Sequence, residues 1–182
     1  ASALNEALLV NDTASLAVPG GTTPGPIFDV LSAVDLDWGR VSVMLTDERW
    51  VPGTSDQSNT KLLKERLLVG KAASAGFVPF YKDGTAAQDC IAELTGDLAA
   101  HLPSSVLVLG MGADMHTASL FPGADGLKEA LQSTEASVFA TSVSGVETAQ
   151  RVSLTGQVLN GAMSKHLVIT GAEKRDALER AQ

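Results

Sequence analysis

The chain has 182 residues, 45% of them hydrophobic, which is enough apolar surface for a core and too much for disorder. A formal net charge of −8 argues against nucleic acid as a partner and means that an anionic substrate has to be met by local positive groups. One cysteine, Cys90, excludes an internal disulfide, and no run of about 18 apolar residues marks a membrane span. The N-terminal stretch lacks the basic start and apolar run of a signal peptide, so a cytoplasmic location is expected.

Leu4, Leu8 and Leu9 follow helical spacing and mark the closing turns of a first helix. Ser15 to Val18 is a short apolar strand candidate. The segment Pro19 to Pro26 is too rich in Gly and Pro for either regular element. Ile27, Val30, Leu31 and Val34 then recur at i, i+3, i+4 and i+7, which predicts a helix with that apolar face. Val41 to Thr46 is a second strand, ending in the charged run Asp47-Glu48-Arg49. Ser58 and Asn59 are caps for a helix carrying Leu62, Leu63 and Leu67. Phe77 to Tyr81 is a further short strand, and Ile91, Leu94 and Leu98 mark a helix that includes Cys90 as core packing.

The apolar run Val106 to Leu109 reads as a strand buried on both faces. It breaks at Gly110 and Gly112, and a carboxylate and an imidazole follow two residues apart, Asp114 and His116. Ser137 to Ser142 is a strand, followed by a polar loop to Gln150. Arg151 to Leu154 is another strand, and Thr155 caps a helix with Val158, Leu159 and Ala162. His166 to Thr170 is the last strand, and Thr170-x-x-Glu173 is a capping-box pattern that opens a final helix.

Strands that alternate with helices and are apolar throughout indicate an α/β fold, with a mostly parallel sheet covered on both faces. The carboxyl ends of parallel strands share one edge. Gly20 to Thr23, Asp47 to Arg49, Asp114 to His116 and Gly171 to Lys174 therefore converge on one crevice.

Within that crevice the Gly20-Gly21-Thr22-Thr23 loop has the properties of a phosphate cradle: glycines admit an anion to the backbone N–H groups, a helix N-terminus follows, and two hydroxyls donate. A plain strand-to-helix turn explains the loop equally well. Gly110-x-Gly112 fails as a dinucleotide fingerprint, because Met115 stands at the third glycine position. His116 is a general-base candidate, since an imidazole of ordinary pKa near 6.5 is mostly neutral at pH 7. Asp114 can fix its tautomer. His101 and His166 read as structural, and the scattered histidines give no metal signal. No nucleophile motif is present, which favours an attacking water. Lys174 and Arg175 oppose the dipole of the final helix, an arrangement that gains meaning if an anion binds there. Arg49 and Arg151 are the other cations at strand ends, and Trp38 and Trp50 read as packing.

These motifs together resemble a known family. Gly20-Gly21-Thr22-Thr23-Pro24, then Asp47-Glu48-Arg49-Trp50-Val51-Pro52 with Ser58-Asn59, occur in its order. So do Gly110 to Gly123 (GMGADMHTASLFPG), Arg151-Val152-Ser153-Leu154-Thr155 with Leu159-Asn160, and Thr170-Gly171 with Lys174. The sequence closely resembles the 6-phosphogluconolactonases of the glucosamine-6-phosphate isomerase/6-phosphogluconolactonase superfamily. The resemblance implies a three-layer Rossmann-like fold of the NagB/RpiA/CoA transferase-like type, in a single domain over residues 1–182 that is incomplete at both ends. It also implies hydrolysis of 6-phospho-D-glucono-1,5-lactone to 6-phosphogluconate in the oxidative pentose phosphate pathway. The implied roles are His116 as the base that deprotonates water, Asp114 as its partner and Arg49 near the lactone. Gly20, Gly21, Thr22, Thr23, Asp47, Arg151 and Lys174 are the substrate- and phosphate-binding set. No cofactor or metal is implied. The expected partner is the phosphosugar lactone alone, with the protein a monomer or small homo-oligomer.

The chain departs from the family pattern at Thr22, where serine is common, and at Met115, where glycine is usual. A side chain at Met115 either narrows the crevice or forces a backbone φ that methionine tolerates poorly. Two other functions remain in view. One is a glucosamine-6-phosphate deaminase or isomerase, whose motif carries a glutamate where this chain has Ser119 to Pro122. The other is a non-catalytic sugar-phosphate sensor, which usually accompanies a DNA-binding module.

Overall fold

The computed structural model describes residues 1–135, 137–143 and 150–181. Its centre is a five-stranded parallel sheet. In chain order the strands are β1 (Ala14–Val18), β2 (Val41–Leu45), β4 (Gly76–Val78), β5 (Val106–Leu109) and β8 (Ser164–Leu167). The spatial order is β4-β2-β1-β5-β8. All residues of β1 are buried, although successive side chains point to opposite faces. The centre of the sheet is therefore covered on both sides, as its apolar strands require, whereas the edge strand β8, Ser-Lys-His-Leu, is mostly exposed. Leu16, Val43 and Leu45 form the middle of the core, and Trp38, Phe80, Leu94 and Leu98 are among the buried side chains around them. No helix of the described residues is long and apolar enough to cross a membrane.

The helices are α1 (Ser2–Val10), α2 (Gly25–Ser32), α3 (Asn59–Arg66), α4 (Ile91–Ala99), α5 (Leu127–Gln132), α6 (Gly156–Gly161) and α7 (Ala172–Ala181). Ser58 caps α3 as expected. The apolar face of α2 differs from the predicted one. Phe28 is its buried anchor, with Gly25 and Ser32 on the same face, whereas Val30 is 71% exposed. Glycine and serine bury as readily as isoleucine where a neighbour lies close, and Arg66 of α3 fills the space beside Gly25. Cys90 lies one residue before α4, in a 3₁₀ turn, and is buried.

A second, three-stranded antiparallel sheet runs β3-β7-β6, from Asp47–Arg49, Gln150–Leu154 and Val138–Ser142. The sequence showed Asp47 to Arg49 only as a charged run at the end of the strand Val41 to Thr46. These residues form a strand of their own, because Thr46 turns the chain from one sheet into the other. Its N–H donates to Val18 O of the first sheet (2.9 Å), and its carbonyl accepts from Leu154 N of the second (2.8 Å). Strand β8 begins two residues earlier than expected and ends at Leu167. Helix α7 begins at Ala172, so Thr170 lies too far out to form the predicted capping box with Glu173. The polar loop expected before Gln150 lies outside the described residues, save Val143.

Candidate active site

The carboxyl edge of the parallel sheet opens into a cleft of about 230 Å³. The loop after β1 brings Gly20, Gly21, Thr22 and Thr23 to it, and the loop after β5 brings Gly110, Gly112 and His116. The second sheet adds Asp47, Arg49 and Arg151, and the first turn of α7 adds Lys174. Every expected site residue lines the cleft except Asp114, which stands behind His116. Arg175 is turned along its own helix toward Glu179, 3.9 Å away.

His116 is held on several sides. Its Nδ1 lies 2.5 Å from Asp114 Oδ1, and its backbone N–H donates to the same oxygen at 3.3 Å. Burial raises the Asp114 pKa, but the hydrogen bonds from the His116 ring and backbone outweigh it and hold the carboxyl below its ordinary value. The loop itself is tight: Gly112 N donates to His116 O (2.9 Å) and Met115 N to Gly112 O (3.0 Å). A Cβ on Gly112 would stand 2.3 Å from the imidazole Nδ1 and Cε1, so only glycine lets the ring come this close. Phe121 stacks on the imidazole with centroids 4.2 Å apart.

Met115 closes the same turn at φ 71°, in the left-handed region. Its side chain is absent from the cleft wall and 38% exposed. Of the two consequences foreseen for this residue, the strained backbone is the one that occurs.

The glycine loop has a different logic. A Cβ on Gly20 would collide with the Asn59 side chain, whose Nδ2 donates to Asp47 O at 2.8 Å. Gly21 has φ 91° and open space above it, on the cleft side of the α2 N-terminus. Backbone donors, a helix N-terminus and Lys174 thus share one region, a setting suited to an anion.

The second sheet supplies buried charge. Glu48 is fully buried and accepts hydrogen bonds from Arg49 N, Asn59 N, Thr60 N and the hydroxyls of Ser58 and Thr60, all at 2.8–2.9 Å. A carboxylate at the N-terminus of α3 is favoured by the free N–H groups there. Its neighbour Asp47 accepts from Ser119 Oγ at 2.7 Å, and Ser119 N donates to Ser153 Oγ at 3.1 Å. These bonds tie the loop of His116 to the second sheet.

Arg49, Arg151 and Thr141 form one cross-strand row in that sheet. Arg49 donates through Nη1 to Gln57 O at 2.7 Å. Arg49 Nε, Arg151 Nε and Thr141 Oγ1 are the buried side-chain polar atoms without a partner among the described residues. Burial first, and then the nearby Arg49 charge, lower the Arg151 pKa against the opposing pull of Asp47 and Glu48. Two like charges side by side with unmet donors are costly unless an anion joins them.

The family model described as glucosamine-6-phosphate isomerases/6-phosphogluconolactonase matches residues 1–182. The chain belongs to the glucosamine-6-phosphate isomerase/6-phosphogluconolactonase family. It is 41% identical over 180 residues to a 6-phosphogluconolactonase of Rhizobium meliloti (strain 1021), covering 98% of this chain and 78% of that protein. Its fold matches the crystal structure of a 6-phosphogluconolactonase from Shewanella baltica, with a TM-score of 0.95 and 35% identity over 100% of this chain and 77% of the other. The 6-phosphogluconolactonase from Thermotoga maritima matches with a TM-score of 0.84 at 28% identity, over 98% and 80%.

Within this glucosamine-6-phosphate isomerase/6-phosphogluconolactonase fold, several groups escaped the sequence. Glu48 was visible only as one charge of a run, and nothing in the spacing foretold that α3 would fold back onto it. Asn59 was legible as a cap but not as the wall behind Gly20. Ser119 and Ser153 gain their roles from contacts between segments far apart in the chain, for which a single sequence carries no signal, and Phe121 gains its role from the fold of the loop that lays it on His116.

Proposed function

We propose that this chain, acting as a single domain, hydrolyses 6-phospho-D-glucono-1,5-lactone to 6-phosphogluconate, the lactone step of the oxidative pentose phosphate pathway. The observation that carries the reading is the His116–Asp114 pair, at 2.5 Å, set on the wall of a cleft that Arg49, Arg151 and Lys174 also line. Local cations meet an anionic substrate within a protein whose formal charge is −8. Asp114 engages Nδ1, which leaves Nε2 to take a proton from water as the water oxygen attacks C1. The carbonyl electron pair moves onto oxygen, and Arg49 or the N–H groups of the glycine loops are the donors proposed to receive it. When the tetrahedral species collapses, the C1–ring oxygen bond breaks and the proton on Nε2 passes to the departing oxygen.

Phosphate binding belongs in this reading to Gly20, Gly21, Thr22, Thr23, Arg151 and Lys174, and Asp47 orients sugar hydroxyls. Anchoring the phosphate at a distance holds C1 near His116, so the reaction with bound water becomes effectively intramolecular. All these groups come from one chain, so the activity is assigned to the monomer, alone or within a small homo-oligomer. The buried thiol of Cys90 suits a reducing compartment, and a cytoplasmic location is part of the proposal.

The test is a time course of lactone consumption with spontaneous hydrolysis subtracted. Turnover well above background is expected. Ammonia release from glucosamine 6-phosphate would instead assign the deaminase reaction. Stoichiometric phosphosugar binding without consumption of the lactone would assign a sensor.

A further inference from the structure

Neither substrate binding nor proton transfer, as assigned above, uses Phe121. This residue lies in the loop of His116, just before Pro122 and Gly123. Its ring and the imidazole lie 4.2 Å apart between centroids, with planes 25° from parallel. The guanidinium carbon of Arg151 lies 5.7 Å from the same phenyl centroid. One aromatic ring therefore meets both the histidine and a buried arginine of the second sheet.

Asp114 holds the imidazole by its Nδ1 edge, and Gly112 approaches so closely that no Cβ fits beside Nδ1 and Cε1. Phe121 covers a face. The ring has little freedom to rotate, and Nε2 is the nitrogen left for water. Once it takes a proton, the imidazole becomes a cation near Arg151, Arg49 and Lys174, which line the same cleft. Arg180 of α7 adds another charge near the loop, donating to Ala113 O at 3.3 Å. Asp114 and Asp47 are the carboxylates facing this group. The face of a phenyl ring carries negative partial charge and attracts a cation stacked on it.

We propose that Phe121 is a positioning residue for His116: it fixes the imidazole plane against Asp114 and stabilises the imidazolium beside the Arg151 guanidinium. The proposal rests on His116 being the base of the lactonase reaction. The imidazolium exists between proton removal from water and proton delivery to the ring oxygen, and the phenyl face acts during that interval.

The experiment follows the His116 ring proton by NMR against pH in the full chain without substrate, alongside kcat and KM for the lactone. In Phe121→Leu the titration midpoint falls by about 0.5 pH unit, and the acid limb of the rate profile moves the same way. The same variant loses about tenfold in kcat with KM nearly unchanged, as expected for a loosened base. Phe121→Tyr, which keeps the aromatic face, restores the midpoint and kcat. Phe121→Met, which fills the space without a π system, gives the comparison if the leucine variant fails to fold. An unmoved midpoint in both apolar variants, or a tyrosine variant as displaced as they are, overturns the proposal. The titration needs no substrate, so it separates failure of the stacking from failure of the lactonase assignment.

Discussion

The two sheets bury different things. The parallel sheet buries Leu16, Val18, Val43 and Leu45 and turns its carboxyl edge toward the cleft as glycine-rich loops. The antiparallel sheet, a few residues away across Thr46, adds Val138, Val152 and Leu154 to the same core but also buries Asp47, Glu48, Arg151 and Ser153. Apolar burial is non-directional and tolerates small shifts, whereas buried charge has to be answered atom by atom. The first sheet is the scaffold on which the loops are hung, and the second is a frame of fixed charge. The candidate site lies where loops of one meet side chains of the other.

Substitutions should separate these two kinds of burial. Leu16→Ala removes apolar contacts from the centre of the parallel sheet. It should cost about 3–4 kcal/mol of unfolding free energy, while kcat of the protein that remains folded stays close to wild type. Chemical denaturation and kinetics on the same preparation test this. Glu48→Gln should cost about 3 kcal/mol, because buried donors lose a carboxylate acceptor. It should also lower activity, because Arg49 and α3 lose their common anchor. Equal kinetic effects of the two variants would break the distinction between the sheets.

Gly112→Ala tests the loop edge of the parallel sheet. A methyl group at the imidazole should displace the ring and lower kcat about 10²-fold, with stability affected much less. The smallest expected effect is at Met115. Replacing it with glycine removes the penalty for positive φ, partly offset by the greater freedom of the unfolded chain, for a gain of about 1 kcal/mol. A loss of stability in Met115→Gly would mean that the methionine side chain makes a contact worth more than the strain.

The sequence and the structure agree most closely on the first sheet. Period and composition locate its central strands to within a few residues, because a strand buried on both faces writes itself as an apolar run; the exposed edge strand β8, Ser-Lys-His-Leu, carries no such run and was placed two residues late. The second sheet was legible as strand segments such as Arg151 to Leu154, but not as a separate layer. Asp47 to Arg49 carries no apolar pattern, and its pairing with β7 depends on contacts a hundred residues apart, as in Arg49 with Arg151. The cleft followed from topology, since strand ends of a parallel sheet share an edge. Residues that act through backbone, such as Gly20, Gly21 and Gly112, could be named early because glycine is informative wherever it stands. Glu48 and Phe121 could not, because their roles are set by what folds against them.

The central claim is that His116 is the base of a lactone hydrolysis performed in this cleft. It is tested most directly by His116→Ala, assayed for lactone hydrolysis with the spontaneous reaction subtracted and for binding of 6-phosphogluconate in parallel. The account predicts a fall of at least about 10²-fold in enzymatic turnover, with binding retained through Arg151, Lys174 and the Gly20–Gly21 loop. Turnover close to wild type in a variant that binds the phosphosugar normally would contradict it.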